Sequence, residues 1–309
     1  MPGTDEINVI GIPMDLGANR RGVDMGPSAI RYAGLIERLQ DMDLEVRDAG
    51  NVPVPFTDEC DPDAGVTEGP HLPYLDETRD ACVDLTERVR ETLQTDRFPL
   101  VLGGDHSLSI GSVNGTAADL DRLGLIWFDA HGDINTPESS PSKNLHGMPL
   151  AALLGHGSFA DMDWAHTEAL WPENLVYVGL RRLDAEEKTT IRNSDMTAFT
   201  MRDVDRENIG HVVEQSLDVA LDGTDALHVS LDMDWVNPTE APGVGTPVPG
   251  GVTYREAHLA METIAQRNQH DSMLRSMDIV EVNPILDEQN RTAELACELT
   301  ASALGKSVL

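Results

Sequence analysis

The chain reads as an α/β protein, a three-layer α/β/α sandwich on an eight-stranded parallel sheet, and three observations point there. Eight short apolar runs alternate with segments whose apolar residues recur at helical spacing, the pattern of successive βαβ units. Parallel strands joined in this way must be covered by helices on both faces. Three of the apolar runs end directly in His and Asp, which puts polar chemistry at strand C-terminal ends, where open α/β sheets place their sites.

The first strand is expected near 7–12. A helix starts near Pro27, since proline suits the first helical position, with Ile30, Ala33, Gly34 and Ile36 or Leu39 forming its apolar side. A strand near 44–48 precedes an acidic, proline-rich stretch from Pro53 to Pro73 that reads as a surface excursion. Further strands fall near 99–103, 124–129, 174–179, 196–201, 226–231 and 274–281, with helices over roughly 76–94, 107–121, 185–193, 206–221, 253–267 and 290–304. Asp133 to Gly147 has neither period, and a long irregular loop inside a folded domain is usually functional. No linker divides the chain and 40% of it is hydrophobic, so residues 1–309 are expected to form one domain.

The formal charge of -32 repels nucleic acid and anionic membrane, so neither is an expected partner. The acidic residues are dispersed rather than gathered in a tail, and only Lys143, Lys188 and Lys306 are lysines, a composition like that of proteins from salt-loving organisms. Cys60, Cys82 and Cys297 are odd in number and lack metal-type spacing, which argues against a disulfide framework. With no long apolar run and no signal pattern at the N-terminus, a soluble cytoplasmic protein is expected.

Asp129-Ala130-His131-Gly132-Asp133 follows the apolar run 125–128, and Asp232-Met233-Asp234 follows 227–231. In extended chain, side chains at i, i+2 and i+4 share a face, so each run would converge on one point. Gly103-Gly104-Asp105-His106 adds a histidine after a third run. Two imidazoles and four carboxylates exceed the needs of one ion, and such a cluster of like charges calls for cations among them. A binuclear site is expected, and its carboxylate-rich donors favour manganese over zinc.

Taken together, Gly103-Gly104-Asp105-His106-Ser107, the Asp129–Asp133 run and Ser230-Leu231-Asp232-Met233-Asp234 closely resemble the three signatures of the ureohydrolase family. Gly11–Gly17, Arg21–Pro27, Asn144–Pro149 and Glu281-Val282-Asn283-Pro284 resemble the bacterial-type arginases within it, the similarity running from about residue 7 to 305. The resemblance implies a homotrimer or homohexamer with two Mn2+ bridged by hydroxide. It also implies one ion on His106, Asp129, Asp133 and Asp232 and the other on Asp129, His131, Asp232 and Asp234. The implied reaction is hydrolysis of L-arginine to L-ornithine and urea, with Asp133 carrying a proton to the departing amine and His146 shuttling protons. Glu281 would pair with the guanidinium, Asn135, Ser142 and Asn144 would face the α-carboxylate, and Asp184 would face the α-amine. Three positions depart from the pattern: Lys143, where arginases carry glycine, and Trp235 and Asn237, where Gly and Asp are common. The competing readings are another ureohydrolase such as an agmatinase or guanidinobutyrase, a one-zinc deacetylase of similar fold, and a non-catalytic metal-binding subunit. His228 reads as a satisfied core histidine.

Overall fold

Eight strands form one parallel sheet in the computed structural model, which describes residues 5–18, 20–62 and 71–306. They are β1 (Glu6–Ile12), β2 (Glu45–Asn51), β3 (Phe98–Gly103), β4 (Leu123–Phe128), β5 (Leu170–Leu180), β6 (Thr197–Thr200), β7 (Ala226–Asp232) and β8 (Leu274–Val280). The helices are α1 (Gly26–Tyr32), α2 (Leu35–Gln40), α3 (Leu75–Gln94), α4 (Ser109–Ala117), α5 (Pro149–Leu153), α6 (Ala185–Asn193), α7 (Met201–Glu207), α8 (Ile209–Ala220), α9 (Tyr254–Asp271) and α10 (Arg291–Ala303). The sheet order is β2-β1-β3-β8-β7-β4-β5-β6.

Strand alternation divides the core into two layers. Ile126 and Phe128 of β4, with Val229 and Leu231 of β7, join a core shared with residues of α1, α8, α9 and α10. Leu125 and Trp127 of the same β4 turn to the other face, where they meet residues of α4 and α5. Ile10, Ile12 and Val101 complete that second face against α3. This is the expected three-layer sandwich. No helix among the described residues is long and apolar enough to cross a membrane, and Cys60, Cys82 and Cys297 are all free thiols.

Several boundaries differ from expectation for local reasons. The helix begun at Pro27 breaks at Gly34, whose φ of +83° is left-handed, a conformation in which glycine meets no Cβ penalty. Asn208 at φ +65° separates α7 from α8 where a single helix is expected, and its side chain accepts from His211 N to cap α8. The helix expected from 107 is shorter because His106–Leu108 is a 3-10 turn. α5 was not expected at all. Of the 53–73 excursion, residues 63–70 lie outside the described residues.

Candidate metal centre and substrate cleft

The site is built on four adjacent strands, β3, β8, β7 and β4, at the middle of the sheet. Their C-terminal ends deliver His106, Glu281, Asp232 and Asp129 in that spatial order, although β3 and β4 are consecutive in the chain. Parallel register sets Phe128 beside Leu231 and Asp232 beside Val280, so the runs that follow open on one place.

Extended geometry, expected for both ligand runs, is not what makes their alternate residues converge. Met233–Trp235 is a 3-10 turn, and Asp133 has a left-handed φ of +48°. Each run is folded back by its own leading carboxylate: Asp129 Oδ1 accepts from His131 N at 2.6 Å, and Asp232 Oδ1 accepts from Asp234 N at 2.7 Å. Aspartate readily bonds the backbone two residues on, and here that turn sets the ligands.

His106, Asp129 and Asp232 offer atoms to one point, and Asp129, His131 and Asp234 to a second that shares Asp129. His106 Nδ1 lies 3.0 Å from Asp133 Oδ2, 3.2 Å from Asp232 Oδ2 and 3.3 Å from Asp129 Oδ2. That fully buried nitrogen nevertheless has no hydrogen-bond partner among the described residues. His131 Nδ1 is 2.9 Å from Asp234 Oδ2 and 3.5 Å from Asp129 Oδ1.

The electrostatics call for positive charge. Burial pushes His106 down, but Asp129, Asp133 and Asp232 outweigh it and raise its pKa well above the usual imidazole value. Burial likewise opposes His131, yet the charge of Asp234 and the bond to Asp129 lift it to about 12. Burial and repulsion from Asp129 push the Asp133 carboxyl up to about 7, and burial with the charges of Asp234 and Asp129 pushes Asp232 well up. Without metal, protons must supply what this field demands. Divalent ions satisfy the same field, and all six expected ligands stand around the place where they would sit.

A chain of hydrogen bonds fixes His106 from behind. Its Nε2 is 2.8 Å from Ser230 Oγ, and Ser230 donates at 2.5 Å to Asp278 Oδ1. Burial pushes the Asp278 carboxyl up, but His228 outweighs that and holds it below the usual range, so it is an ionised acceptor. Ser230 spends its only proton on it and must therefore accept from His106 Nε2–H, which leaves Nδ1 as the nitrogen that would bind an ion. Asp278 Oδ2 also receives Ser109 at 3.0 Å and His228 Nε2 at 3.1 Å. His228 Nδ1 in turn meets Ser276 at 2.6 Å and Thr116 at 3.0 Å, so it is the satisfied core histidine expected. Trp127 stacks on the His106 ring with centroids 4.0 Å apart and donates to Asp129 Oδ2 at 2.9 Å.

A cleft of about 180 Å³ opens over this cluster, lined in part by Asp133, Asn135, Ser142, His146, Asp184 and Glu281. His146 Nδ1 is 3.1 Å from Glu281 Oε1. Burial lowers the imidazole, but the Glu281 bond and charge prevail and raise it to about 9. Glu281 Oε1 also accepts from His106 N at 3.1 Å, while no hydrogen bond reaches Oε2 among the described residues. The Glu281 backbone sits at φ +65°, a strained position of the sort that gathers at functional sites. Asp184 caps α6 and accepts from Asn135 Nδ2 at 3.1 Å. Asn144 is not among the lining residues, and its buried Nδ2 lacks a partner among the described residues.

The three departures from the family pattern stay out of the cleft. Lys143 takes a left-handed φ of +63°, which favours glycine, and its Nζ turns back to donate to Pro137 O at 2.7 Å. Trp235 is fully buried edge-on to Phe128, and Asn237 bonds Thr239 and Gly250 in a turn.

Sequence reasoning missed Asp105, Thr246, Glu187, Arg182 and the Ser230-Asp278 pair. Asp105 accepts from Gly17 N at 2.9 Å and ties the N-terminal loop to the end of β3. Thr246 donates to Asp234 Oδ2 at 2.9 Å from a loop whose sequence carries no metal signal. The alternation of His228, Ser230 and Asp232 on one face of β7 was the available clue to the Ser230 contact.

The arginase family matches residues 5–305. The arginase of Bacillus subtilis (strain 168) is 48% identical over 305 residues, covering 98% of this chain and 99% of the relative. The structure of arginase from Bacillus caldovelox superimposes with a TM-score of 0.91 at 46% identity, covering 99% of this chain and 100% of that one. An Entamoeba histolytica arginase solved in complex with L-ornithine matches with a TM-score of 0.85 at 28% identity, over 98% of this chain and 99% of that one.

Proposed function

This chain belongs to the arginase family and is a hydrolase of the guanidino group, and from that premise we propose that it cleaves L-arginine to L-ornithine and urea on two manganese ions. The observation that carries the proposal is the shared cleft, in which the carboxylate and imidazole cluster, the His146–Glu281 pair and the polar groups Asn135, Ser142 and Asp184 stand together.

Bound there, the ions would supply a water of lowered pKa as nucleophile at neutral pH, which the poorly electrophilic guanidinium carbon requires. His106, Asp129, Asp133 and Asp232 would hold one ion, and Asp129, His131, Asp232 and Asp234 the other. Glu281 Oε1 is occupied by His106 N and His146, which leaves Oε2 to receive the guanidinium and aim its carbon at the cluster. Asp133 carries a proton to the departing amine. His146, whose pKa the Glu281 bond and charge raise, replenishes that proton from the cleft. Asn135 and Ser142 face the α-carboxylate, and Asp184 faces the α-amine. The ornithine complex of the Entamoeba relative supports an amino-acid subsite of this kind. Following the family resemblance, we assign the whole chain to one domain, a homotrimeric or homohexameric assembly and the cytoplasm.

The test is the specificity constant for L-arginine, agmatine and guanidinobutyrate with added manganese. Agmatine lacks the α-carboxylate, and a site built for a missing hydrogen-bonding group discriminates by roughly 10⁴-fold or more. L-arginine should win by a margin of that order, and Asn135→Ala should narrow the gap by harming arginine. Equal constants in the wild-type protein would assign it to another ureohydrolase activity.

A further inference from the structure

The cleft is lined by five carboxylates, Asp133, Asp184, Glu187, Asp232 and Glu281, against a single arginine, Arg182. Asp133 and Asp232 would be taken up by the ions and Glu281 by His146 and the guanidinium, so the carboxylate of a bound amino acid faces Asp184 and Glu187, whose repulsion the neutral groups of Asn135 and Ser142 offset little. Lys143, the other nearby cation, spends its ammonium on the carbonyls of Pro137 and Glu138.

Arg182 is placed and free to act. Its backbone N donates to Ala130 O at 2.9 Å, between ligands Asp129 and His131, so its Cα is tied to the metal-binding loop itself. Its neighbour Arg181 is locked, donating to the carbonyls of Asp234, Trp235 and Val248. Arg182 is exposed, and its guanidinium has no hydrogen bond or carboxylate partner among the described residues. Arg21, Arg31, Arg79, Arg97 and Arg255 each hold a carboxylate, whereas the Arg182 guanidinium is left available at the cleft.

We propose that Arg182 is the ion-pair partner of the substrate α-carboxylate, and that with Asp184 and Glu187 opposing the α-amine it sets the preference for a whole amino acid. The guanidinium suits the role, since its planar fork of donors matches a carboxylate's two oxygens. This rests on the arginase reading above.

The experiment compares wild type, Arg182→Ala and Arg182→Lys, each loaded with manganese to equal metal content, on L-arginine, L-arginine methyl ester and agmatine. Arg182→Ala should raise KM for L-arginine about tenfold with kcat nearly unchanged, while kcat/KM for the ester and for agmatine moves less than twofold; Arg182→Lys should recover part of the loss. The arginine effect should shrink from 0.1 M to 1 M salt, because the pair is exposed and the Debye length falls from about 10 Å to about 3 Å. Equilibrium binding gives a second readout: Arg182→Ala should weaken L-ornithine about tenfold and leave putrescine, which lacks the carboxylate, unaffected. Equal losses on all three substrates would make Arg182 a structural prop, and an unchanged KM for L-arginine would remove it from the site; either overturns the proposal. Failure of the arginase reading is distinguishable, since it appears in the wild-type protein as agmatine cleaved as well as arginine.

Discussion

Ser230→Ala tests whether the hydrogen-bond chain behind His106 tunes one metal position. The substitution removes the acceptor 2.8 Å from His106 Nε2 and leaves a fully buried N–H facing a methyl group. An unsatisfied buried donor costs about 1–3 kcal/mol. Loss of an outer partner of a ligating histidine typically weakens metal binding about 10–100-fold, which converts to roughly 1.4–2.8 kcal/mol, so two independent scales agree. The loss should be one-sided. His106 contributes to the ion it would share with Asp129, Asp133 and Asp232, whereas His131 and Asp234 do not touch Ser230, so one manganese should be held 10–100-fold more weakly and the other nearly as before. Ser276→Ala is the control, removing a hydroxyl from the same buried cluster without touching His106. Competitive chelator titration of the manganese-loaded variants measures both sites. Equal weakening of both ions, or none in a folded Ser230→Ala protein, would refute the tautomer argument.

Four more outcomes are expected. Asp232→Ala should lose both ions and cleavage together, since Asp232 lies against His106 and its Oδ1 positions Asp234; metal analysis finding two ions and normal turnover would remove it from the centre. His146→Gln should lower kcat about 10²–10⁴-fold with manganese retained, and loss of metal instead would mark it as a ligand. The same variant should change stability with pH in metal-free protein: a folded pKa raised from 6.5 to about 9 contributes stability that is complete below 6.5 and disappears as pH rises through about 9. The melting-temperature gap between wild type and His146→Gln should therefore close across that window, and a constant gap would contradict it. With a net charge of -32, melting temperature should fall from molar to 0.01 M salt, where the Debye length reaches about 30 Å, and a flat profile would discount the salt-loving reading.

The alternation of apolar runs and helical segments was enough to foresee the eight parallel strands, because strands buried on both faces leave a strong mark in composition. The six candidate ligands were legible for a related reason: histidine and aspartate directly after buried runs are costly unless something uses them. Sheet order was not legible. β8 and β7 lie between β3 and β4, so His106 and Asp129 meet at 3.3 Å from strands that are not neighbours in the sheet. Nor does sequence reveal that Asp133, Lys143 and Glu281 adopt left-handed backbone, since none is glycine.

Those last positions tie the fold to the chemistry. A non-glycine residue at positive φ costs of order 1–3 kcal/mol and persists only where its surroundings over-determine it. Glu281 is held by its own N–H to Gly104 O at 2.9 Å and by His106 N and His146 on its carboxylate. Gly104 in turn packs against the backbone of Met14, where a Cβ would fall 1.8 Å from Met14 O. Tied to Gly104 by its own N–H, Glu281 turns out of β8 and into the cleft, where its carboxylate raises the His146 pKa. Relaxing Glu281 to ordinary extended backbone would carry its side chain along the pleat toward the sheet face, removing the proposed guanidinium anchor and the partner of His146 in one step. The strain at the end of β8 is therefore part of how the sheet presents its acid groups to a cationic substrate.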